Sequence, residues 1–191
     1  MRESQGVTIW LTGLPSAGKS TIAGILETDL RARGLAVEVL DGDIVRTNLS
    51  KGLGFSREDR DINIRRIAFV SKLLTRNGVV VIVAAVSPYR NTREEARQEI
   101  SRFFEVHVKC PIDVLVDRDV KGLYAQALRG EISNFTGVSD PYEDPVNPEL
   151  VVETHRQSPE ESAAAVMDGL ERRGFIPSMS REKASIAEND R

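Results

Sequence analysis

Apolar runs alternate with amphipathic stretches along most of the chain, and this alternation predicts the order of its secondary structure. Short apolar runs predict five strands, at residues 7–12, 36–40, 79–86, 104–109 and 150–153. Apolar positions with helical spacing predict helices at residues 20–33, 56–77, 92–103, 112–122 and 159–173. Strands and helices that alternate in this way form a parallel sheet with helices on both faces. The pattern therefore predicts an α/β fold with a five-stranded parallel sheet flanked by helices.

Two segments lack this alternation. Residues 130–148 hold three prolines, two glycines and few aliphatic side chains, which predicts a long loop within a mobile lid at about residues 121–148. The polar residues 176–191 predict a disordered C-terminal tail. Residues 1–175 are then expected to form a single domain, which is an ordinary size for one hydrophobic core.

The composition narrows the class of protein. The net charge of −3 argues against a nucleic-acid partner, because such partners require a basic surface. No apolar run is long enough to cross a membrane, and the first residues lack the pattern of a signal peptide. We therefore expect a cytoplasmic protein without a membrane partner. A single cysteine, Cys110, excludes an intramolecular disulfide.

A glycine-rich turn follows the first predicted strand and precedes the first predicted helix. Its sequence, GLPSAGKS at residues 13–20, fits the phosphate-binding pattern G-x-x-x-x-G-K-[ST]. In such loops backbone N–H groups converge on a phosphate, the lysine contacts the β- and γ-phosphates, and the hydroxyl ligates Mg²⁺. A plain connecting turn is the alternative. The residues expected to bind ATP are Gly13, Leu14, Pro15, Ser16, Ala17, Gly18, Lys19, Ser20 and Thr21.

Two carboxylates, Asp41 and Asp43, follow the second predicted strand in the sequence LDGD. The carboxyl ends of parallel strands form the ligand-binding edge of such sheets, so we expect both beside the phosphate loop. There they could ligate Mg²⁺ directly or through water together with Ser20, and Asp43 could accept a proton from an attacking hydroxyl. The alternative is a polar turn, since Asp and Gly favour turns. The sequence lacks the N-K-x-D element of GTPases, and its apolar run at residues 79–86 ends in SPYR, whereas the corresponding strand of mechanical ATPases ends in acidic residues.

Longer blocks of the sequence resemble one family of small-molecule kinases. GLPSAGKST, LDGD, LGFSREDR, AAVSPYR, RDVKGLYAQALRGEISNFTG and DPYEDPVNPEL occur in the order and at the spacing typical of adenylyl-sulfate kinases. That family transfers the ATP γ-phosphate to the 3′-hydroxyl of adenylyl sulfate (APS), giving 3′-phosphoadenylyl sulfate (PAPS). The resemblance covers most of the chain. It implies a P-loop kinase fold, Mg²⁺ with ATP as co-substrate, a homodimer, and a separate ATP sulfurylase that supplies the acceptor.

The resemblance also implies which residues contact the acceptor. Phe55 and Phe135 are expected to stack on its purine, because aromatic faces suit a base. Arginine forks suit its phosphate and sulfate oxygens. Arg118 is expected beside the ATP adenine. The implied acceptor contacts are Asp43, Arg46, Phe55, Arg60, Asn63, Val86, Ser87, Lys121 and Phe135, and the implied catalytic residues are Lys19, Asp41, Asp43, Ser87 and Lys121.

Two of these residues have alternative interpretations. Ser87 matches a serine that some family members phosphorylate, but no adjacent histidine or lysine could activate it. We therefore expect Ser87 to contact the substrate, and the alternative is a serine that caps the next helix. Lys121 is expected to neutralise charge on the transferred group, and the alternative is a solvated lysine. Arg57, Arg65 and Arg66 are expected to be structural or surface residues.

Five positions depart from the usual sequence of the family. Ile44 and Thr47 stand where Asn and His are common, Ile62 replaces an acid, and Ala125 and Gln126 replace two lysines of the lid. The loss of these lysines is expected to raise the Michaelis constant for ATP. Two other functions stay open at this point. They are another P-loop small-molecule kinase and a non-catalytic ATP-binding regulatory subunit, and a panel of acceptors separates them from the family activity.

Overall fold

The computed structural model describes residues 6–119 and 121–178, and this part of the chain contains five strands and seven helices. The strands are β1 (Val7–Thr12), β2 (Val37–Asp41), β3 (Val80–Ala84), β4 (Phe103–Lys109) and β5 (Leu150–Glu153). The helices are α1 (Lys19–Ala32), α2 (Gly42–Asn48), α3 (Arg57–Arg76), α4 (Arg90–Glu99), α5 (Ile112–Arg118), α6 (Leu123–Leu128) and α7 (Pro159–Arg172).

The five strands form one parallel sheet in the order β2-β3-β1-β4-β5. Strand β1 lies at its centre, where Ile9 pairs with Ile82 on one side and with Phe104 on the other. Because the strands are parallel, their carboxyl ends share one edge, and the segments that follow β1, β2 and β3 meet there. The predicted α/β fold with five parallel strands and flanking helices is confirmed.

Side chains of β1 alternate between two hydrophobic cores, one on each face of the sheet. Val7, Ile9 and Leu11 pack in the core that includes α1 and α7. Trp10 packs in the other core, with side chains of α3 and α4. Each buried aliphatic side chain contributes about 1.5–3 kcal/mol to folding. The central strand is therefore held from both faces, and its carboxyl end is a rigid support for the loop that follows.

Two short helices, α2 and α6, were not predicted from the apolar pattern. Both have fewer than eight residues, which is too short for helical periodicity to stand out. Helix α2 begins where the side chain of Asp41 accepts a hydrogen bond from the backbone N–H of Asp43. The interpretation of LDGD as a plain polar turn is therefore wrong. Helix α6 lies inside the predicted lid.

The predicted boundaries around α4 and α5 are also wrong in part. Helix α4 ends at Glu99, and Phe103, which was expected at the end of this helix, begins β4. Phe103 pairs with Thr8 in the sheet, and its ring lies 5.5 Å from the Trp10 ring, centroid to centroid. These contacts are between distant parts of the chain, so local periodicity did not indicate them. Ser56 caps α3, because its hydroxyl accepts a hydrogen bond from the Asp59 N–H.

The C-terminal limit of the domain lies beyond residue 175, because Ile176 is buried in the core with α7. The rest of the predicted tail, from residue 179, lies outside the described residues. Across residues 6–119 and 121–178, no helix has the length and apolar character needed to span a membrane.

Candidate active site

The phosphate loop, Gly13–Thr21, links β1 to α1 in a tight turn. A side chain at Gly13 would place its Cβ 2.3 Å from the carbonyl oxygen of Val108, so only glycine fits there. Gly18 has a φ of 102°, a conformation that other residues rarely adopt. This backbone turns N–H groups toward the space above the helix N-terminus, where the helix dipole also favours an anion. The loop therefore has the form of a polyphosphate site.

Lys19 lies folded over this loop. Its Nζ donates hydrogen bonds to the carbonyl oxygens of Gly13 at 2.9 Å and Leu14 at 2.7 Å. Burial lowers the pKa of Lys19 to about 8, although Asp41 and Asp43 act to raise it. A buried ammonium that is held by neutral carbonyls is poised to exchange them for phosphate oxygens.

Five polar residues meet at the phosphate loop, and we call Lys19, Ser20, Asp41, Asp43 and Lys121 the front cluster. The hydroxyl of Ser20 donates to Asp41 Oδ2 at 2.6 Å. Lys121 Nζ, at the start of the lid, donates to Asp43 Oδ2 at 2.6 Å, which raises the Lys121 pKa. The pair is mostly exposed, with 62% of the Lys121 side chain and 76% of the Asp43 side chain accessible. Lys121 is therefore paired with Asp43 while most of its side chain stays exposed to solvent.

The oxygen donors of the front cluster suit a hard divalent cation. They are one hydroxyl, on Ser20, and two carboxylates, on Asp41 and Asp43. Among the described residues, no group of three or more His, Cys, Asp or Glu side chains could hold a metal by itself. A cation here would therefore need phosphate oxygens as further ligands, which is the arrangement of metal–nucleotide sites.

Two arginines pack against the ring of one exposed phenylalanine, beside α2 and the start of α3. The guanidinium of Arg46 lies 4.5 Å from the ring centroid of Phe55, and that of Arg60 lies 5.5 Å from it. Burial, followed by repulsion from Arg60, lowers the pKa of Arg46. Burial also lowers the pKa of Arg60, although Asp140 at 3.6 Å acts to raise it. Two partly desolvated cations side by side favour a bound anion.

Asn63 and Phe135 are both buried, unlike the exposed Phe55. The side-chain oxygen of Asn63 has no hydrogen-bond partner among the described groups. The ring of Phe135 packs edge-on against Tyr124, with 5.0 Å between centroids. Of the two expected stacking rings, Phe55 is therefore the exposed one. Arg60 connects the Phe55 region to the lid beside Phe135, because it donates to the carbonyls of both Phe55 and Asn134.

Ser87 is buried behind the end of β3. Its hydroxyl accepts a hydrogen bond from the indole N–H of Trp10 at 3.1 Å and donates one to the Ala85 carbonyl at 3.3 Å. Its backbone has a φ of 40°, which is unusual for a serine. The N-cap of α4 is Tyr89, so the interpretation of Ser87 as a helix cap is wrong. The neighbouring Val86 is half-buried, and its carbonyl accepts from Thr12 Oγ1 at 2.8 Å.

Arg118 is linked to the phosphate loop by two hydrogen bonds through Thr154. It donates to the backbone carbonyl of Thr154 at 2.7 Å, and the Thr154 hydroxyl donates to the Ala17 carbonyl at 2.9 Å. The side chain is at the end of α5 and exposed to solvent, as a nucleotide-base contact would require.

Four charged residues that were not predicted form a second cluster, and we call Arg93, Arg97, Glu105 and Glu149 the buried frame. Glu105 on β4 pairs with Arg93 at 3.0 Å and with Arg97 at 2.9 Å. Arg97 also pairs with Glu149 at 2.6 Å, which holds the Glu149 pKa low although burial acts to raise it. The sequence did carry one signal, because a glutamate inside the apolar run FFEVHV must find a partner.

The end of the predicted lid is fastened to the frame and to the start of α4. We call residues 140–149 the return segment. The N–H of Glu143 donates to the Pro88 carbonyl at 2.9 Å, and its carboxylate accepts from the Arg90 N–H at 2.8 Å. The hydroxyl of Tyr89 donates to Asp140 at 2.9 Å, and that of Tyr142 lies 3.0 Å from Thr12 Oγ1. The lid therefore has two different halves, residues 121–139 over the phosphate loop and the return segment.

Comparison with known sequences agrees with this geometry. The chain matches the family model described as adenylylsulphate kinase over residues 5–153. It is 59% identical to the adenylyl-sulfate kinase of Rippkaea orientalis and 60% identical to that of Microcystis aeruginosa, in each case over 174 residues. These alignments cover 91% of this chain and 96% of each relative.

Comparison with solved structures gives the same family. The Mycobacterium tuberculosis APS kinase in complex with AMPPNP and APS has a TM-score of 0.85 and 43% identity, over 87% of this chain and 98% of that chain. The hexameric APS kinase from Thiobacillus denitrificans has a TM-score of 0.70 and 37% identity, over 92% of this chain and 30% of that chain. The family model matches most of this chain, and relatives are near 60% identical to it. The chain therefore belongs to the adenylyl-sulfate kinase family.

Proposed function

We propose that the front cluster and the group of Arg46, Phe55 and Arg60 form one active site. In this site ATP and APS bind on opposite sides of Asp43. The protein is an enzyme of the adenylyl-sulfate kinase family, and it transfers the γ-phosphate of ATP to the 3′-hydroxyl of APS to give PAPS.

ATP is assigned to the phosphate loop. The N–H groups of residues 13–21 bind its β- and γ-phosphates, and Lys19 exchanges its carbonyl partners for phosphate oxygens. Mg²⁺ would be held by Ser20, Asp41 and Asp43, directly or through water, and would neutralise phosphate charge. Arg118 is assigned to the adenine, because its side chain is exposed to solvent and is linked to the phosphate loop through Thr154.

APS is assigned to the region between Phe55 and the end of β3. Its purine stacks on Phe55, and closure of the lid would bring Phe135 to the opposite face. Arg46 and Arg60 bind the phosphate–sulfate group, since both are partly desolvated and lie within reach of the same ring. Asn63 offers a buried amide oxygen without a partner. Val86 and Ser87 border the ribose.

The proton of the attacking hydroxyl is assigned to Asp43. This carboxylate is accessible, stands at the N-terminus of α2 and is adjacent to the phosphate loop. Lys121 holds it at 2.6 Å before substrates bind. When the γ-phosphoryl group is present, Lys121 can move from Asp43 to the transferred group, which leaves the carboxylate free to accept the proton. Phosphoryl transfer of this kind depends mainly on positioning and charge neutralisation, so no covalent enzyme intermediate is required.

The contact between Lys121 and Asp43 is the observation that carries this assignment, because it joins the lid to the acidic strand end beside the phosphate loop. The test is a coupled assay for ADP release with ATP, Mg²⁺ and purified protein. APS, adenosine, AMP, gluconate and shikimate are offered separately. We expect ADP release and a 3′-phosphorylated product with APS alone. Transfer to another acceptor would remove the acceptor residues from the proposal while leaving the ATP site in place.

A homodimer and a functional link to an ATP sulfurylase are also proposed. A relative in Sorangium cellulosum, described as a probable bifunctional SAT/APS kinase 2, is 56% identical to this chain over 31% of its own length. Oligomeric assembly occurs in the hexameric neighbour. Light scattering coupled to size-exclusion chromatography tests the homodimer, for which a mass of twice 21.1 kDa is expected. A monomeric mass would contradict it.

A further inference from the structure

We propose that Arg93 is a positioning residue that holds the acceptor side of the site and the return segment in one fixed relation. The inference rests on the proposed function, because it concerns the edge where APS is placed. Arg93 lies on α4 and 1% of its side chain is accessible, so it does not itself touch substrate. Its effect must therefore pass through the groups that it holds.

The guanidinium of Arg93 makes three hydrogen bonds in three directions. Its Nε donates to Glu105 Oε1 at 3.0 Å, which balances the buried charge. One terminal nitrogen donates to the Ser87 carbonyl at 2.6 Å. The other donates to the Glu143 carbonyl at 2.5 Å. A single side chain thus joins β4, the end of β3 and the return segment.

Only an arginine can satisfy these partners together. Its planar fork presents several fixed N–H donors, whereas a lysine has one nitrogen and cannot reach both carbonyls and the carboxylate. Because Glu105 neutralises the charge in a dry environment, the bonds to the two carbonyls keep the strength of charge-assisted hydrogen bonds. A replacement that keeps the charge but not the fork would loosen both carbonyls.

The two carbonyls that Arg93 holds border the acceptor. Ser87 has a φ of 40°, and the bond from Arg93 to its carbonyl fixes this uncommon conformation. The carbonyl of Glu143 belongs to the return segment, which is also bound to Pro88 and to the start of α4. The return segment in turn presents Asp140 to Arg60, one of the proposed anion contacts. Loosening Arg93 would therefore disturb APS binding.

The ATP side gains no support from Arg93. Its hydrogen bonds end at Glu105, Ser87 and Glu143, whereas Lys19 of the phosphate loop donates to Gly13 and Leu14 within the loop itself. The effect of a substitution should therefore appear in the Michaelis constant for APS and not in that for ATP. A general loss of folding would change neither constant selectively.

Arg97 provides a matched control in the same helix. It pairs with the other oxygen of Glu105 and with Glu149, but it contacts neither the Ser87 carbonyl nor the Glu143 carbonyl. Arg93→Lys and Arg97→Lys both weaken an ion pair with Glu105, so both are expected to reduce stability. Arg97 holds the return segment only at Glu149, its last residue before β5, whereas Arg93→Lys alone removes the hydrogen bonds to the Ser87 and Glu143 carbonyls at the acceptor edge.

The experiment measures the Michaelis constants for APS and ATP, the turnover number and the urea midpoint for wild type, R93K and R97K. We expect R93K to raise the Michaelis constant for APS about tenfold, with that for ATP within about twofold of wild type. R97K should leave both constants within about twofold. An unchanged APS constant in R93K, an equal rise for ATP, or the same APS effect in R97K would overturn the inference.

If R93K does not fold, the double variant Arg93→Met/Glu105→Gln carries the test. It removes both charges of the pair together, so no unpaired charge stays buried there, and it removes the hydrogen bonds to the Ser87 and Glu143 carbonyls. We expect a selective rise in the Michaelis constant for APS of about threefold, and an unchanged constant would overturn the inference. Failure of the proposed function is distinguishable, because wild type would then not turn over APS at all.

Discussion

The front cluster and the buried frame both use charges to fasten the lid to the body of the enzyme, but in opposite surroundings. The pair of Lys121 and Asp43 is mostly exposed, whereas the side chains of Arg93 and Glu105 are 1% and 3% accessible. An exposed pair contributes about 0–1 kcal/mol, and its partners can exchange for a ligand. Breaking a buried pair costs about 3–5 kcal/mol, because one charge stays behind without a partner. The contacts that can exchange for a ligand and the contacts that hold the lid in place thus lie in two different regions.

The largest effect is expected from the front cluster. Asp43→Asn keeps the shape of the side chain but removes the proton acceptor, so the turnover number should fall by about 10²–10⁴. Because the pair with Lys121 is exposed, the free energy of unfolding should change by less than about 1 kcal/mol. Steady-state kinetics with saturating substrates and urea unfolding measure the two quantities. The matched control is Asp113→Asn, an exposed carboxylate in the first turn of α5. Turnover within about threefold of wild type would remove Asp43 from the mechanism.

The buried frame should respond in the opposite way. Glu105→Gln leaves Arg93 without its counter-charge in a dry site, so the free energy of unfolding should fall by about 3–5 kcal/mol. The exposed pair of Arg65 and Glu95, at 2.8 Å, provides the control. Glu95→Gln should cost at most about 1 kcal/mol. Urea unfolding measures both variants, and equal losses would mean that burial does not distinguish the two regions.

Lys19 gives the front cluster a pH dependence. Its folded pKa of about 8 lies below its ordinary value of 10.5, so between these values the folded protein binds fewer protons than the unfolded chain. This group therefore adds stability to the free enzyme as pH rises through that window. Binding of a triphosphate needs the charged form, so ATP affinity should fall above about pH 8, by at most about tenfold per pH unit.

Calorimetry of ATP binding in two buffers with different ionisation enthalpies measures this effect. We expect proton uptake near pH 8 and an affinity for ATP that falls from there upwards, while the Michaelis constant for APS serves as the internal control. An ATP affinity that is constant across the window would show that Lys19 stays charged in the free enzyme.

The smallest effect is expected at Ser87, whose carbonyl accepts a hydrogen bond from Arg93 of the buried frame. Ser87→Ala removes the hydroxyl that accepts from Trp10, and the loss of one buried hydrogen bond should reduce kcat/KM by about fivefold or less. An obligatory phosphoserine would instead make the loss about a thousandfold or more. Steady-state kinetics and mass spectrometry after incubation with ATP distinguish these outcomes, and phosphate on Ser87 during turnover would contradict our assignment.

Sequence information was strongest where one contiguous stretch does the work. The phosphate loop lies within nine residues, and its glycines, lysine and serine have fixed spacing, so its position between β1 and α1 followed directly. The acidic strand end followed from the rule that parallel strands share a ligand-binding edge. The family resemblance supplied Arg46, Phe55, Arg60 and Asn63, and the structure brings the two arginines to the ring of Phe55.

The sequence by itself determined the order of the five strands and of the helices other than α2 and α6, the phosphate loop and the family, because these depend on local periodicity and on short motifs. Only the tertiary structure decided that Lys121 meets Asp43, that Phe135 is buried against Tyr124, and that the return segment is fastened through Arg93. The reason is physical. A buried charge is stable only with partners at the right distance, and these partners come from parts of the chain that local patterns do not connect.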